Sequence, residues 1–204
     1  MERYHLAEGK GYVEVDAKKT PRNLVFYGKT YSLSPAYSPP KAVKMGEKRL
    51  KGWLRDQGIS PIDITAAFKK PEQEEEGLTA SVLDPIGRLG KKLTDVQAAQ
   101  AHAYRYRTPY DDLSSYQPSS RFIQETAGLV NGLQPHHNCL PLGFTKKNEL
   151  AVAISDPGDM DLTDTINTST SYKILFVASP ADKIEKALKQ FYPAREPPRF
   201  DEFM

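Results

Sequence analysis

Between Cys139 and Tyr192 the chain changes its hydrophobic period in an order that few folds satisfy. Two apolar runs, Cys139 to Phe144 and Glu149 to Ile154, are joined by the polar turn Thr145-Lys146-Lys147-Asn148, the pattern of a hairpin. Asp159 to about Thr168 reads as a short helix with its acids at the favourable N-terminal end. Tyr172-Lys173-Ile174-Leu175-Phe176-Val177 is a nearly continuous apolar strand, expected to be covered on both faces. Ser179-Pro180 then opens a helix with proline at its first position, and Ile184, Ala187, Leu188 and Phe191 form its stripe. Strand, helix and strand in this order predict a parallel, right-handed crossover. The C-terminal part is therefore expected to be a ββαβα sandwich.

Upstream, Thr94-Asp95-Val96-Gln97 is a capping-box pattern. It leads a helix with Val96, Ala99, Ala103 and Tyr106 on one face, stopped by Pro109. A helix over 119–130 points Phe122, Ile123, Thr126 and Val130 inward. Leu50, Trp53 and Leu54 share a face of an earlier helix that Gly58 ends, and Ser60-Pro61 starts another carrying Ile64, Ala67 and Phe68. Within 11–33, Gly11 to Val15 alternates like a strand, and Leu24 to Tyr27 with Thr30 to Leu33 reads as a hairpin about Gly28-Lys29. Pro71-Glu72-Gln73-Glu74-Glu75-Glu76-Gly77 has no apolar residue and reads as a solvated linker. Ser34 to Pro40 is extended, and Pro193 to Met204 forms a tail. The expected class is α+β. A β-rich extension occupies 1–45, a helical section 46–70, a linker with an Arg-Leu-Gly segment 71–92, the α/β domain 93–192 and the tail 193–204. The 93–192 part is expected to fold alone.

Charge and motifs exclude several function classes. Lys plus Arg total 28 against 26 Asp plus Glu, a net +2, too even for a nucleic-acid binder. The two parts on either side of the linker's end differ little: residues 1–77 hold 14 basic and 11 acidic side chains, residues 78–204 hold 14 and 15. No apolar run approaches the roughly 20 residues of a membrane span. The N-terminus lacks a signal-peptide pattern, and the single cysteine, Cys139, has no disulfide partner within the chain, so a cytoplasmic location is expected. There is no P-loop, no Gly-x-Gly-x-x-Gly and no Gly-x-Ser-x-Gly. His136-His137-Asn138-Cys139 is a loop entering a strand rather than a metal site, because adjacent ligands on extended chain point apart. Asp111, Asp112, Asp156, Asp159 and Asp161 read as loop and helix-start acids, with no local partner for acid–base work. No enzyme, cofactor or metal is expected.

Two segments carry more information. Arg49-Leu50-Lys51-Gly52-Trp53-Leu54 runs on to Gly58, and Gly87-Arg88-Leu89-Gly90-Lys91-Lys92-Leu93 follows the linker. Each places an Arg-Leu pair at the expected mouth of a helix, with a leucine four further on. A guanidinium beside free backbone N–H groups suits a phosphate or a guanine edge, and an ordinary amphipathic helix start accounts for the same spacing.

With these residues the sequence resembles the N-terminal (GspE-N, or MshEN) domain of the ATPases of type II secretion and type IV pilus assembly, over about 47–192 and most strongly over 93–192. The pieces that carry the resemblance are Thr108-Pro109-Tyr110-Asp111-Asp112-Leu113, Leu140-Pro141-Leu142-Gly143, Leu150 to Pro157, Val177-Ala178-Ser179-Pro180, and Ile184 to Leu188 with Phe191-Tyr192. The resemblance implies a non-catalytic docking or regulatory module that binds a protein component of such a machine. It implies recruitment to the inner membrane through that partner rather than by insertion, with the ATPase expected to be absent. In a subset of the family a repeated Arg-Leu-Gly motif binds cyclic di-GMP. Carried over residue by residue, one copy is Arg49, Leu50, Leu54 and Gly58, and the other is Arg88, Leu89, Gly90 and Leu93. Lys51 stands where the first copy has its glycine, and Thr94-Asp95-Val96-Gln97 opens a helix where the second copy would continue. A cyclic di-GMP sensor is thus the alternative function, with weak or absent binding expected and any residual affinity resting on Arg88 more than on Arg49.

Overall fold

The computed structural model describes residues 2–5, 11–15, 21–26, 29–32, 36–69, 84–133 and 138–193. It is an α+β protein with two sheets. The first is an antiparallel meander of β1 (Glu2–His5), β2 (Gly11–Val15), β3 (Pro21–Phe26) and β4 (Lys29–Ser32) in sequence order. Its register sets Tyr4 opposite Val13, Val13 opposite Leu24, and Leu24 opposite Tyr31. The β3–β4 hairpin closes with Phe26 opposite Lys29, so Lys29 belongs to the strand and the register is one residue off that of a turn at Gly28-Lys29; the tip at 27–28 lies outside the described residues. Strand β1 has no counterpart in the sequence reading, because Glu-Arg-Tyr-His carries no apolar alternation and pairs through its backbone.

The helical section comprises α1 (Glu47–Asp56), α2 (Pro61–Phe68), α3 (Pro85–Leu89) with a 3₁₀ turn at Gly90–Lys92, and α4 (Asp95–Tyr106). Local signals explain its ends. Gly58 takes φ +87° beyond α1, and the Ser60 hydroxyl accepts the Asp63 N–H with Pro61 at the first position of α2. Asp84 caps α3, and Thr94 and Gln97 form the reciprocal capping box of α4. Leu50, Leu54, Ile59, Ile64, Ala67, Ile86, Leu89, Leu93 and Ala101 make one buried core. Each fully buried leucine or isoleucine there contributes about 1.5–3 kcal/mol. The acidic linker 71–77 lies outside the described residues.

The inward face of α4 differs from the expected one. Ala99, Ala101, His102 and Ala103 are buried, whereas Val96 and Tyr106 are exposed. The helix touches α1, α3, the strand Ile174–Ala178 and the last helix, so small residues disappear on several sides of it and no single stripe is selected.

The C-terminal unit follows the predicted order. Helix α5 (Ser120–Leu133) precedes β5 (Leu140–Phe144), β6 (Leu150–Ile154), α6 (Met160–Thr168), β7 (Ile174–Ala178) and α7 (Ala181–Phe191). The sheet order is β5-β6-β7, with β5 antiparallel and β7 parallel to β6. One face packs Ile184, Ala187 and Leu188 of α7 on Leu140, Ala151, Ala153 and Val177. The other packs Leu162 and Ile166 of α6 on Leu150, Val152 and Ile154. It is β6, not β7, that is buried on both faces, because β6 is central and residues 174–176 at the edge are half-buried. Continuous apolar runs look alike in the two positions. Pro180 is the N-cap of α7 and not its first helical residue, with ψ 134° still extended.

Tyr37, upstream of the helical section, also joins this sheet. Its N–H donates to the Phe144 carbonyl at 2.8 Å, and it bridges Thr145 in parallel. A Cβ at Gly143 would come within 3.0 Å of the Tyr37 Cβ, so the glycine permits the approach. The Tyr37 hydroxyl donates to Asp111 Oδ2 at 2.7 Å. Asp111 itself sits on the far edge, where its N–H bonds the Ala178 carbonyl.

Candidate functional site

The structure brings the leucines of the two Arg-Leu segments together. Leu50, Leu54, Leu89 and Leu93 all lie in the core of the helical section, so their first role is packing. The arginines are placed differently. Arg49 is exposed in the first turns of α1. Arg88 is in the last turn of α3, not at a helix mouth, because Asp84 and Pro85 start that helix earlier and Gly90, at φ +47°, ends it. Its Nη1 donates to the carbonyls of Ala67 at 3.2 Å and Lys69 at 2.6 Å. Those carbonyls close α2, where a cation complements the helix dipole.

Lys51 turns away from the role a glycine would play. Its ammonium pairs with Glu47 at 2.6 Å and lies 4.8 Å from the centre of the Phe68 ring. The ammonium holds the Glu47 carboxyl below its ordinary range. Lys92 of the second segment pairs with Asp63 of α2 in the same way. Gly58 and Gly90 both adopt positive φ with open space around them, which fits chain reversal at helix ends.

The other candidates have structural partners. Asp111 Oδ1 accepts the Leu113 N–H and Asp112 Oδ1 the Ser114 N–H, so both carboxylates shape a turn. Asp159 caps α6 through the Leu162 N–H. Burial pushes the Cys139 thiol up to about 12, which leaves it protonated and unreactive. His136 and His137 lie outside the described residues. Among the described residues no group of His, Cys, Asp and Glu is placed to hold a metal, and no helix is long and apolar enough to cross a membrane.

A buried polar node went unread in the sequence. His102 of α4 places Nδ1 3.2 Å from Asp156 Oδ1 and 3.6 Å from Asp84 Oδ2. Arg105 Nε stands 2.7 Å from Asp84 Oδ1, to which the Tyr106 hydroxyl also donates at 3.2 Å. The Tyr106 ring stacks on His102 and covers Gly158, where a Cβ would come 2.2 Å from its oxygen. Asp84-Pro85 and Asp156-Pro157-Gly158 are visible turn signals. Their meeting across α4 is a long-range contact that no local spacing encodes.

Three comparisons bear on identity. The family model of the MshEN domain matches residues 106–198. A solved structure of MshE with cdg is 21% identical, covers 71% of this chain and 99% of its own, and superposes with a TM-score of 0.51. The N-terminal domain of XpsE is 16% identical over 73% of this chain and 98% of its own, at a TM-score of 0.46. No curated protein sequence matches the chain. Residues 106–198 are therefore similar to the MshEN domain, and the chain has the fold that the MshE structure displays.

Proposed function

We propose that the chain is a non-catalytic docking or regulatory module that binds a protein component of a secretion or pilus machine at its cytoplasmic side. The match of residues 106–198 to the MshEN domain carries this reading. The chemistry supports it: every carboxylate singled out in the sequence for acid–base work and described above caps a helix, shapes a turn or pairs within the buried node, and the one cysteine is held protonated. Calorimetric titration of the purified chain with the cytoplasmic domains of the secretion and pilus components of its own organism tests it. Saturable binding to one of them is expected, and failure of all of them to bind overturns the reading.

Cyclic di-GMP binding is the second reading, favoured by the MshE structure with cdg. Binding is expected to be weak, because the Lys51 side chain occupies the space between Glu47 and Phe68 and because Arg88 already bonds two carbonyls. A base contact from an arginine is worth about 1–3 kcal/mol, so losing one guanidinium lowers affinity roughly fivefold to a hundredfold. Titration of the wild type, Arg49→Ala and Arg88→Lys decides it. Submicromolar binding by the wild type would promote the sensor above the docking module. Residual binding that survives both substitutions would place the ligand elsewhere.

A further inference from the structure

The polar node joins three elements that are distant in sequence. Asp84 precedes α3, His102 lies on α4, and Asp156 sits in the turn after β6. Asp84 and His102 are each 5% exposed, so the imidazole and this carboxylate are buried, with Asp156 and Arg105 at the rim. We propose that Asp84, His102 and Asp156 form a proton-operated latch. It holds α3, and with it the Arg88-Leu89-Gly90 segment, against the α/β unit while His102 is neutral, and opens when His102 is protonated.

The geometry sets the neutral tautomer. Both neighbours of Nδ1 are carboxylate oxygens, which only accept, so Nδ1 carries the proton of the neutral ring. That N–H is not aligned with either oxygen as a full hydrogen bond, so the attraction is electrostatic and orientational. A second proton goes to Nε2 and puts a whole positive charge on a buried ring. The charged groups facing the ring are Asp156 from the β6–α6 turn, Asp84 from the start of α3, and Arg105 from α4 itself. Arg105 already stands against Asp84 and repels a second cation. Tyr106 stacks with the imidazole, ring centres 6.1 Å apart, and covers it on that side.

Burial lowers the His102 pKa from its ordinary 6.5, outweighing the pull of the two carboxylates. The unfolded or unlatched ring takes its proton near that ordinary value, and the latched ring only at lower pH. The latch is therefore fully stable above about 6.5 and loses stability as pH falls from there towards the lowered value.

Gly158 supplies a mechanical test that leaves every charge in place. A methyl group there displaces Tyr106 from above the turn and breaks its bond to Asp84 Oδ1, which lets water reach His102. The reporters are built in: the Ile86 N–H bonds Asp84 Oδ2 at 3.1 Å, and the Gly158 N–H bonds Asp156 Oδ1 at 2.8 Å.

Nuclear magnetic resonance on the full chain, from about pH 8 to about pH 5, follows the His102 ring and these two amides through the histidine range. The His102 midpoint is expected below 6.5, with both amide signals moving at that same midpoint. Hydrogen exchange at the Ile86 amide, corrected for its intrinsic pH dependence, should rise at least about tenfold across the transition, as a local opening does. H102Q is expected to abolish the shared midpoint, and Gly158→Ala to move the His102 midpoint up towards 6.5. A His102 midpoint at or above 6.5, or amides that titrate independently of the ring or unchanged in H102Q, would overturn the latch. Should H102Q not fold, Gly158→Ala alone decides, because an unmoved midpoint there shows that the ring was never sealed by Tyr106.

Discussion

Replacing Asp84 by alanine is expected to lower the unfolding free energy by about 3–5 kcal/mol, the cost of breaking a buried charge network by removing one partner. Both oxygens of this carboxylate are in use. Oδ2 accepts the Ile86 N–H, and Oδ1 faces Arg105 Nε at 2.7 Å and accepts the Tyr106 hydroxyl. Loss of the cap alone costs about 1 kcal/mol. The rest comes from leaving Arg105 and His102 beside a hole, with Asp156 as the one carboxylate still facing the ring. Asparagine keeps an acceptor for the cap and removes the charge, so Asp84→Asn is expected between the wild type and alanine. Urea denaturation of the three proteins at neutral pH measures the series. A loss under about 1 kcal/mol for alanine would mean that the node relaxes freely and holds nothing together.

How much of this molecule was legible in its sequence depended on distance along the chain. Capping and turn chemistry acts within four residues, and it placed Ser60, Thr94 and Asp159 correctly, as well as the hairpin between β5 and β6. The parallel pairing of β6 with β7 followed from an intervening helix too long for a hairpin. Burial was harder to read. Leu150 to Ile154 and Ile174 to Ala178 are both apolar throughout, yet only the first is covered on both sides. In α4 the expected stripe holds at Ala99 and Ala103 and fails at Val96 and Tyr106, because helices and a strand surround that helix and small residues are buried on several of its sides.

The site was legible in part for the same reason. The leucines four apart in each Arg-Leu segment fit the amphipathic helix start read from the spacing, whereas the meeting of Leu50, Leu54, Leu89 and Leu93 in one core is a contact between segments that this spacing does not encode. The position of Arg88 was misjudged, since the earlier start of α3 at Asp84-Pro85 competes with a start at the arginine. The node of Asp84, His102 and Asp156 depends on α4 lying against α3 on one side and β7 on the other, which is a property of tertiary packing and leaves no periodic trace.

Truncating Leu54 to alanine is expected to cost about 2–5 kcal/mol, the range for a leucine deleted from a closed core. Leu54 is 0% exposed and sits between α1, α2 and α4 with Leu50, Ile64 and Ala101. That core shares no residue with either face of the β5-β6-β7 sheet, where Ile154 is equally buried. Leu54→Ala should therefore lower the midpoint of the tryptophan signal by the same amount in the Ile154→Ala background as in the wild type, as separated sites do. The single tryptophan reports on the first core alone, since Trp53 meets Tyr104 of α4 edge-on at 5.4 Å. In Leu54→Ala its fluorescence should change at lower urea than the far-ultraviolet circular dichroism, whereas in Ile154→Ala the tryptophan signal should not lead. Helix α4 belongs to the first core, touches β7 and α7 and carries His102 and Arg105, so the separation of the two signals measures how firmly the node binds the helical section to the sheet. Coincident transitions in Leu54→Ala would mean that the two cores unfold as one unit and that their separation in space has no counterpart in energy.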